Sequence, residues 1–179
     1  VYKRQQMKMI KIHRDQRGIT LIEMLAVVVL IGLLTGGITA TISQVLTINT
    51  RASNHMVAVR QVQQVSDRLS KDVPQAEVVV PDNGPSGLPL TLTWEDYETE
   101  DSYNVIYDLE GNTLLRSESV NNGDPIVSAV AEYIDPDPEK TNCDWKIGEK
   151  VLIFTVTATV GGESETRGVY KIKPRPGPL

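Results

Sequence analysis

Hydrophobic and polar positions divide this chain into three stretches with different periodicity. Residues 1–17 are basic and polar, with Met7 and Met9 as candidate starts. From Ile19 the chain turns apolar, and no charged side chain occurs from Met24 through Thr50. Twenty residues, Ile19 to Ile38, would form a helix about 30 Å long, the thickness of a bilayer's hydrocarbon core. One carboxylate, Glu23, stands near the start of this run. Beyond Thr50 the pattern becomes amphipathic: Ala52, Met56, Val59, Val62, Val65 and Leu69 recur at spacings of three and four. Pro74 cannot continue a helix and restricts Val73, which places the helix end near Lys71–Asp72.

After Pro74 the period changes from 3.6 to 2. Strands are expected at Ala76–Val80, Leu90–Trp94, Tyr103–Leu109, Thr113–Glu118, Ile126–Tyr133, Val151–Thr159 and Thr166–Lys173. Glu110-Gly111-Asn112 and Gly161-Gly162 read as hairpin turns. The expected fold is α+β, a long N-terminal helix packed on a mostly antiparallel β-sheet domain. The divisions are 1–18 as a leader, 19–40 as the membrane half of the helix, 41–73 as its amphipathic half, and 75–179 as the sheet domain.

Charge sharpens this division. Residues 1–18 carry six basic side chains against Asp15, a net of +5; the whole chain is −5, so the remainder is −10. A basic segment before the apolar run and an acidic one after it predict a cytoplasmic N-terminus and an extracytoplasmic bulk. The acidic balance of the bulk argues against direct binding to nucleic acid. Cys143 is the only cysteine, so no intrachain disulfide can form. An ordinary secretory signal would be cut after its apolar region at a small-x-small site. The nearest candidate, Ile38-Thr39-Ala40, places a bulky residue where a small one is needed.

A carboxylate in hydrocarbon costs a few kcal/mol or more unless partnered, so Glu23 is a candidate functional residue. Thr20 and Glu23 also have the spacing of a capping box, which would close the helix start. Gly32, Gly36 and Gly37 each weaken a helix by up to about 1 kcal/mol relative to Ala. They serve either close helix packing or local flexing.

Arg17-Gly18-Ile19-Thr20-Leu21-Ile22-Glu23-Met24 resembles the N-terminal signature of type IV pilins and of the pseudopilins of type II secretion and competence systems. The resemblance implies cleavage between Gly18 and Ile19 by a prepilin peptidase and N-methylation of Ile19. It also implies pairing of the Glu23 carboxylate with the Ile19 amine of an adjacent subunit during filament assembly. The family usually has Phe at the first mature position, where this chain has Ile19; cleavage, which depends mainly on the glycine, is expected to survive. The implied partners are prepilin peptidase, other minor and major pilins or pseudopilins, the inner-membrane assembly platform and the lipid bilayer.

A narrower resemblance, to J-type minor pseudopilins and their W-type pilus counterparts, rests on several short pieces. These are Arg68 to Ala76 at the helix end, Val105-Ile106-Tyr107, Leu114-Leu115-Arg116, Phe154-Thr155-Val156-Thr157 and Pro174-Arg175. Pro176 departs from the family's usual Asn. This subtype implies a minor subunit at a filament tip; a major pilin, or an anchored extracytoplasmic domain with its own binding or enzymatic activity, are the alternatives.

Other chemistry finds little support. The acidic run Glu95 to Asp101 lacks the D-x-D-x-D-G spacing of a calcium loop and reads as a solvated hairpin tip. Asp135-Pro136-Asp137-Pro138-Glu139 reads as a rigid acidic turn. His13 and His55 are far apart in sequence, and Cys143 has no histidine in the sheet domain to activate it. The expectation is a structural subunit with no catalytic residues, cofactor or metal.

Overall fold

The computed structural model describes residues 20–162 and 164–175, so the leader, Gly18, Ile19 and Pro176 lie outside the described residues. Helix α1 runs Leu21–Asp72. Eight strands follow: β1 (Val78–Pro81), β2 (Leu90–Asp96), β3 (Asp101–Glu110), β4 (Thr113–Val120), β5 (Ile126–Ala131), β6 (Asn142–Lys146), β7 (Val151–Val160) and β8 (Ser164–Ile172). The chain separates into two units, Val1–Leu46 and Thr47–Leu179.

In the first unit every described residue is exposed, including Leu21, Leu30, Leu33 and Ile38. The helix is held here by its own backbone bonds. Thr35, Thr39 and Thr41 donate their hydroxyls to the carbonyls of Ile31, Thr35 and Gly37 at 2.7, 2.9 and 2.9 Å. These bonds satisfy the polar atoms of the threonines within the helix itself.

In the second unit the strands form two antiparallel sheets, ordered β1-β2-β3-β4-β5 and β6-β7-β8. Within each sheet consecutive strands pair, as the alternating pattern predicts. The second sheet is a difference from a single-sheet expectation, and it includes β6, which the pattern does not disclose. Asn142-Cys143-Asp144-Trp145-Lys146 has only two apolar residues and follows an acidic turn, so its composition reads as loop. The structure nevertheless registers Cys143 opposite Phe154 and Trp145 opposite Leu152, with Cys143 buried.

Both expected hairpins form. Glu110 pairs with Thr113, leaving Gly111-Asn112 as the turn, and Gly111 has φ of +60°. Gly161 and Gly162, at +66° and +74°, follow the last residue of β7. β5 stops at Ala131, short of the expected Tyr133, because Tyr133 itself adopts φ of +60°. The acidic run between β2 and β3 closes its own turn: Glu98 N–H donates to Asp96 Oδ1 at 2.9 Å and Glu100 N–H to the Asp96 carbonyl at 2.8 Å.

One hydrophobic cluster joins the helix face to both sheets. It includes Ala58, Val62, Val65 and Leu69 from α1, Leu90, Leu92 and Trp94 from β2, Val105 and Tyr107 from β3, and Phe154 and Val156 from β7. The stripe differs from the expected one at its start. Met56 is 72% exposed and Ala52 is also exposed, while Ala58 is fully buried. At roughly 100° per residue, spacings of three and four that are not alternated drift around the axis. Ala52 and Met56 therefore fall on the opposite side from the Val62–Leu69 line.

Close approach fixes two glycines. A Cβ on Gly168 would meet Tyr170 Oη at 2.6 Å and Val62 Cγ1 at 2.7 Å. Tyr170 uses that proximity to donate its hydroxyl to the Val62 carbonyl at 3.2 Å. Gly87, at φ +66°, faces the Cys143 carbonyl and lies 2.9 Å, at its virtual Cβ, from Cys143 Sγ.

Candidate assembly and processing site

The described part of the candidate site is the first turn of α1. Thr20 Oγ1 accepts the Glu23 N–H at 3.3 Å, and the Thr20 carbonyl accepts the same N–H at 3.0 Å. Thr20 thus supplies the N-terminal half of the capping box. The Glu23 carboxylate is left exposed on the first turn, where the positive end of the helix dipole favours an anion.

Around it the helix surface is predominantly apolar. Leu21 is 85% exposed and Ile22 76%, and the exposed apolar side chains continue through Leu46 and Ile48. Mean hydropathy over the most apolar 18 residues of the helix is 2.4, and none of that window is buried within the chain. The helix is long and apolar enough to cross a membrane. A soluble core helix with this composition would be covered by its own protein; this one is not. An apolar surface that the described residues leave uncovered fits a setting of lipid or packed helices.

Gly32, Gly36 and Gly37 have nothing within 4 Å of a virtual Cβ. No contact among the described residues requires glycine there, so the reason for these residues is either a further neighbour or backbone freedom. The structure does not bring them together with Glu23 into one pocket; they lie more than two turns further along the same helix.

Residues 13–39 match the family described as the prokaryotic N-terminal methylation motif. Comparison with curated proteins and with solved structures gives no significant match. The methylation motif spans the leader end, Gly18, Ile19, Glu23 and all three helix glycines. It supports a prepilin-like subunit of the type IV pilin kind, processed by prepilin peptidase and assembled with other pilins. With the apolar helix it fits anchoring in the inner membrane followed by filament assembly. It is silent on the sheet domain, which the motif does not reach.

In the sheet domain a charged cluster forms whose contacts the sequence does not disclose. Asp72, the last residue of α1, is 7% exposed. Its Oδ2 accepts the Tyr107 hydroxyl at 2.6 Å and Arg116 Nε at 2.6 Å. Arg116 also donates from Nη1 to Glu118 at 2.7 Å. Tyr107 is fully buried; burial, and then its bond to Asp72, push the hydroxyl far above its ordinary pKa. Burial alone would lower Arg116, but hydrogen bonds to Glu118 and Asp72 outweigh it and hold the guanidinium firmly charged. These are three of the positions that carry the narrower resemblance. Their spacing in sequence, 35 and 44 residues from Asp72, hides that they meet. The arrangement clamps the helix end onto β3 and β4.

Arg175 makes a second tie. Its guanidinium bonds to the Glu77 carboxylate and, at 3.2 Å, to the Glu95 carbonyl. It also lies 5.1 Å from the Tyr97 ring centroid. Tyr97 donates its hydroxyl to Glu77 at 3.0 Å, and that bond raises the Tyr97 pKa. In the Asp135 turn, the hydrogen-bonded Lys140 ammonium, 2.8 Å away, holds the Asp135 carboxyl below its usual range. Cys143 donates from Sγ to the Gly87 carbonyl at 2.7 Å, and burial pushes its thiol up to about 12. A thiol held neutral in this way is an inert structural group at neutral pH.

Proposed function

We propose that this chain is a minor, prepilin-like structural subunit with no catalytic role of its own. Prepilin peptidase cuts between Gly18 and Ile19, and Ile19 is then N-methylated. Residues 19–40 hold the subunit in the inner membrane and later pack in the core of a type IV pilus or type II secretion pseudopilus. Residues 41–73 continue the helix into the sheet domain, which faces away from the cytoplasm. The order of the short matches to J- and W-type subunits supports a place at the filament tip.

The observation that carries this proposal is Glu23. It stands alone in the first turn of a helix whose whole apolar half is uncovered, within the methylation motif. A lone carboxylate in a low-dielectric medium is costly, and a cation placed against it recovers much of that cost. Cutting after Gly18 creates a positive amine at Ile19, four residues from Glu23. In an assembly, the Ile19 amine of one subunit neutralises the Glu23 carboxylate of the next. Assembly is then favoured by hiding two charges that a lone subunit must leave unpaired.

Glu23→Leu separates this role from capping. The Thr20 hydroxyl accepts from the Glu23 backbone N–H, which leucine retains. The variant is expected in the membrane at normal mature size but at least tenfold depleted from sheared filaments. Normal incorporation would refute the charge-pair role.

A further inference from the structure

We infer that the open edge of β5 is an interaction surface that receives an extended strand from a different protein. β5 ends the five-stranded sheet and has β4 as its single strand neighbour. Along its other side, alternate residues turn their N–H and C=O groups outward without a ladder partner. Natural sheet edges are usually blunted by charge, proline or a covering element. The other edges here follow that practice. β1 is four residues long, ends in Pro81 and lies against β6. β6 carries Asp144 and Lys146, and β8 carries Glu165, Arg167 and Lys171. β5, Ile-Val-Ser-Ala-Val-Ala, has neither charge nor proline.

Its side chains are uncovered as well. Ile126 is 74% exposed and Val127 58%. Neighbouring residues in a strand point to opposite faces, so the strand is bare above, below and along its edge. Only Val130 and Ala131, at its far end, are buried. The register with β4 also shifts at that end, at Leu114/Leu115, so the irregularity does not protect the Ile126–Ala129 segment.

Charge selects the occupant. The strand is bracketed by Asp124 and Glu132, both exposed. A second copy pairing antiparallel with Ser128 opposite Ser128 would set Asp124 against Glu132 at both ends. Like charges opposed across strands are destabilising. The matching occupant is an apolar or neutral extended segment with Lys or Arg at its ends, added by main-chain hydrogen bonds in the manner of strand addition.

The test places the photo-crosslinker p-benzoylphenylalanine at Ile126 of the full-length protein in the cells that produce it. The reference carries it at Val169, an exposed position on β8. Irradiation is expected to give an adduct with a different polypeptide, at least tenfold more abundant from position 126. The cross-linked peptide should be extended and flanked by Lys or Arg. Val127→Lys should reduce the adduct at least tenfold, and Asp124→Lys with Glu132→Lys should do the same without touching the strand. Adducts only with a second copy or lipid, or no excess over position 169, would overturn the inference. So would an adduct unchanged by the charge reversal in protein whose sheet domain still resists trypsin. The same blot reads N-terminal processing: lost capture at normal mature size refutes only this surface. Intact capture by unprocessed protein refutes only the prepilin-like proposal.

Discussion

Removing the Asp72 carboxylate tests how the helix end is fixed to the sheet. Asp72→Ala leaves the Tyr107 hydroxyl, fully buried, without its acceptor and takes one of two carboxylates from Arg116. Breaking a buried ion pair from one side costs roughly 3–5 kcal/mol, and an orphaned buried hydroxyl about 1–3 kcal/mol. The two overlap, because both describe the same carboxylate. Arg116 also keeps Glu118 at 2.7 Å and retains some exposure, 11% of its side chain, which lowers the total to about 2–4 kcal/mol. Tyr107→Phe removes one hydrogen bond and leaves Asp72 paired with Arg116, so its cost should be nearer 1 kcal/mol. The assay is urea unfolding of the detergent-solubilised protein, followed by tryptophan fluorescence. Trp94, buried and stacked 5.4 Å from Tyr103, reports the first sheet, and Trp145 the second. With a slope of about 2 kcal/mol per molar urea, a loss of about 3 kcal/mol moves the midpoint by roughly 1.5 M. A double variant, Asp72→Leu with Arg116→Met, removes both charges and should be more stable than Asp72→Ala. A shift under about 0.5 M for Asp72→Ala, or an additive double variant, would show that the cluster is not a coupled clamp.

The remaining predictions concern processing, the glycine contact and the buried thiol. Gly18→Leu should leave full-length precursor in the membrane on a blot, and an unchanged mature band would reject cleavage after Gly18. Gly87→Ala must place a methyl group against the Cys143 carbonyl at φ +66°, and should destabilise by about 2–4 kcal/mol in the same urea assay, since overpacking and left-handed strain each cost about 1–3 kcal/mol. Cys143, with its thiol raised to about 12, should resist iodoacetamide at pH 8 in folded protein and react once urea unfolds it. Because the folded thiol keeps its proton where the unfolded one has lost it, stability should fall as pH rises through about 9 towards 12. Rapid alkylation of the native protein, or stability flat across that range, would contradict the burial of this residue.

Much of the fold was legible because periodicity is a local signal. The change from a 3.6 to a 2.0 period at Pro74 marks the helix end within a residue, and both Gly-containing hairpins fall where the turns do. Legibility failed where burial depends on distant partners. Nothing near Met56 in sequence says that it faces away from the sheets, since Ala52, Met56 and Val59 still satisfy the spacing rule. β6 reads as loop because its two inward residues find their cover on β7. The first-turn site was legible for the opposite reason: Thr20 and Glu23 act on each other through one turn of backbone. The Asp72–Tyr107–Arg116 cluster was visible only as separate short matches, since an ion pair across 44 residues leaves no periodic trace.

The most direct test is the intact mass and N-terminal sequence of the protein purified from its native membranes. A chain beginning at Ile19, heavier by one methylene at its amine, is the predicted result. It would place a cationic nitrogen at the depth of Glu23 and make the intersubunit pair possible. A mature chain that begins upstream of residue 19 would contradict the account, because no such amine would then exist beside that carboxylate.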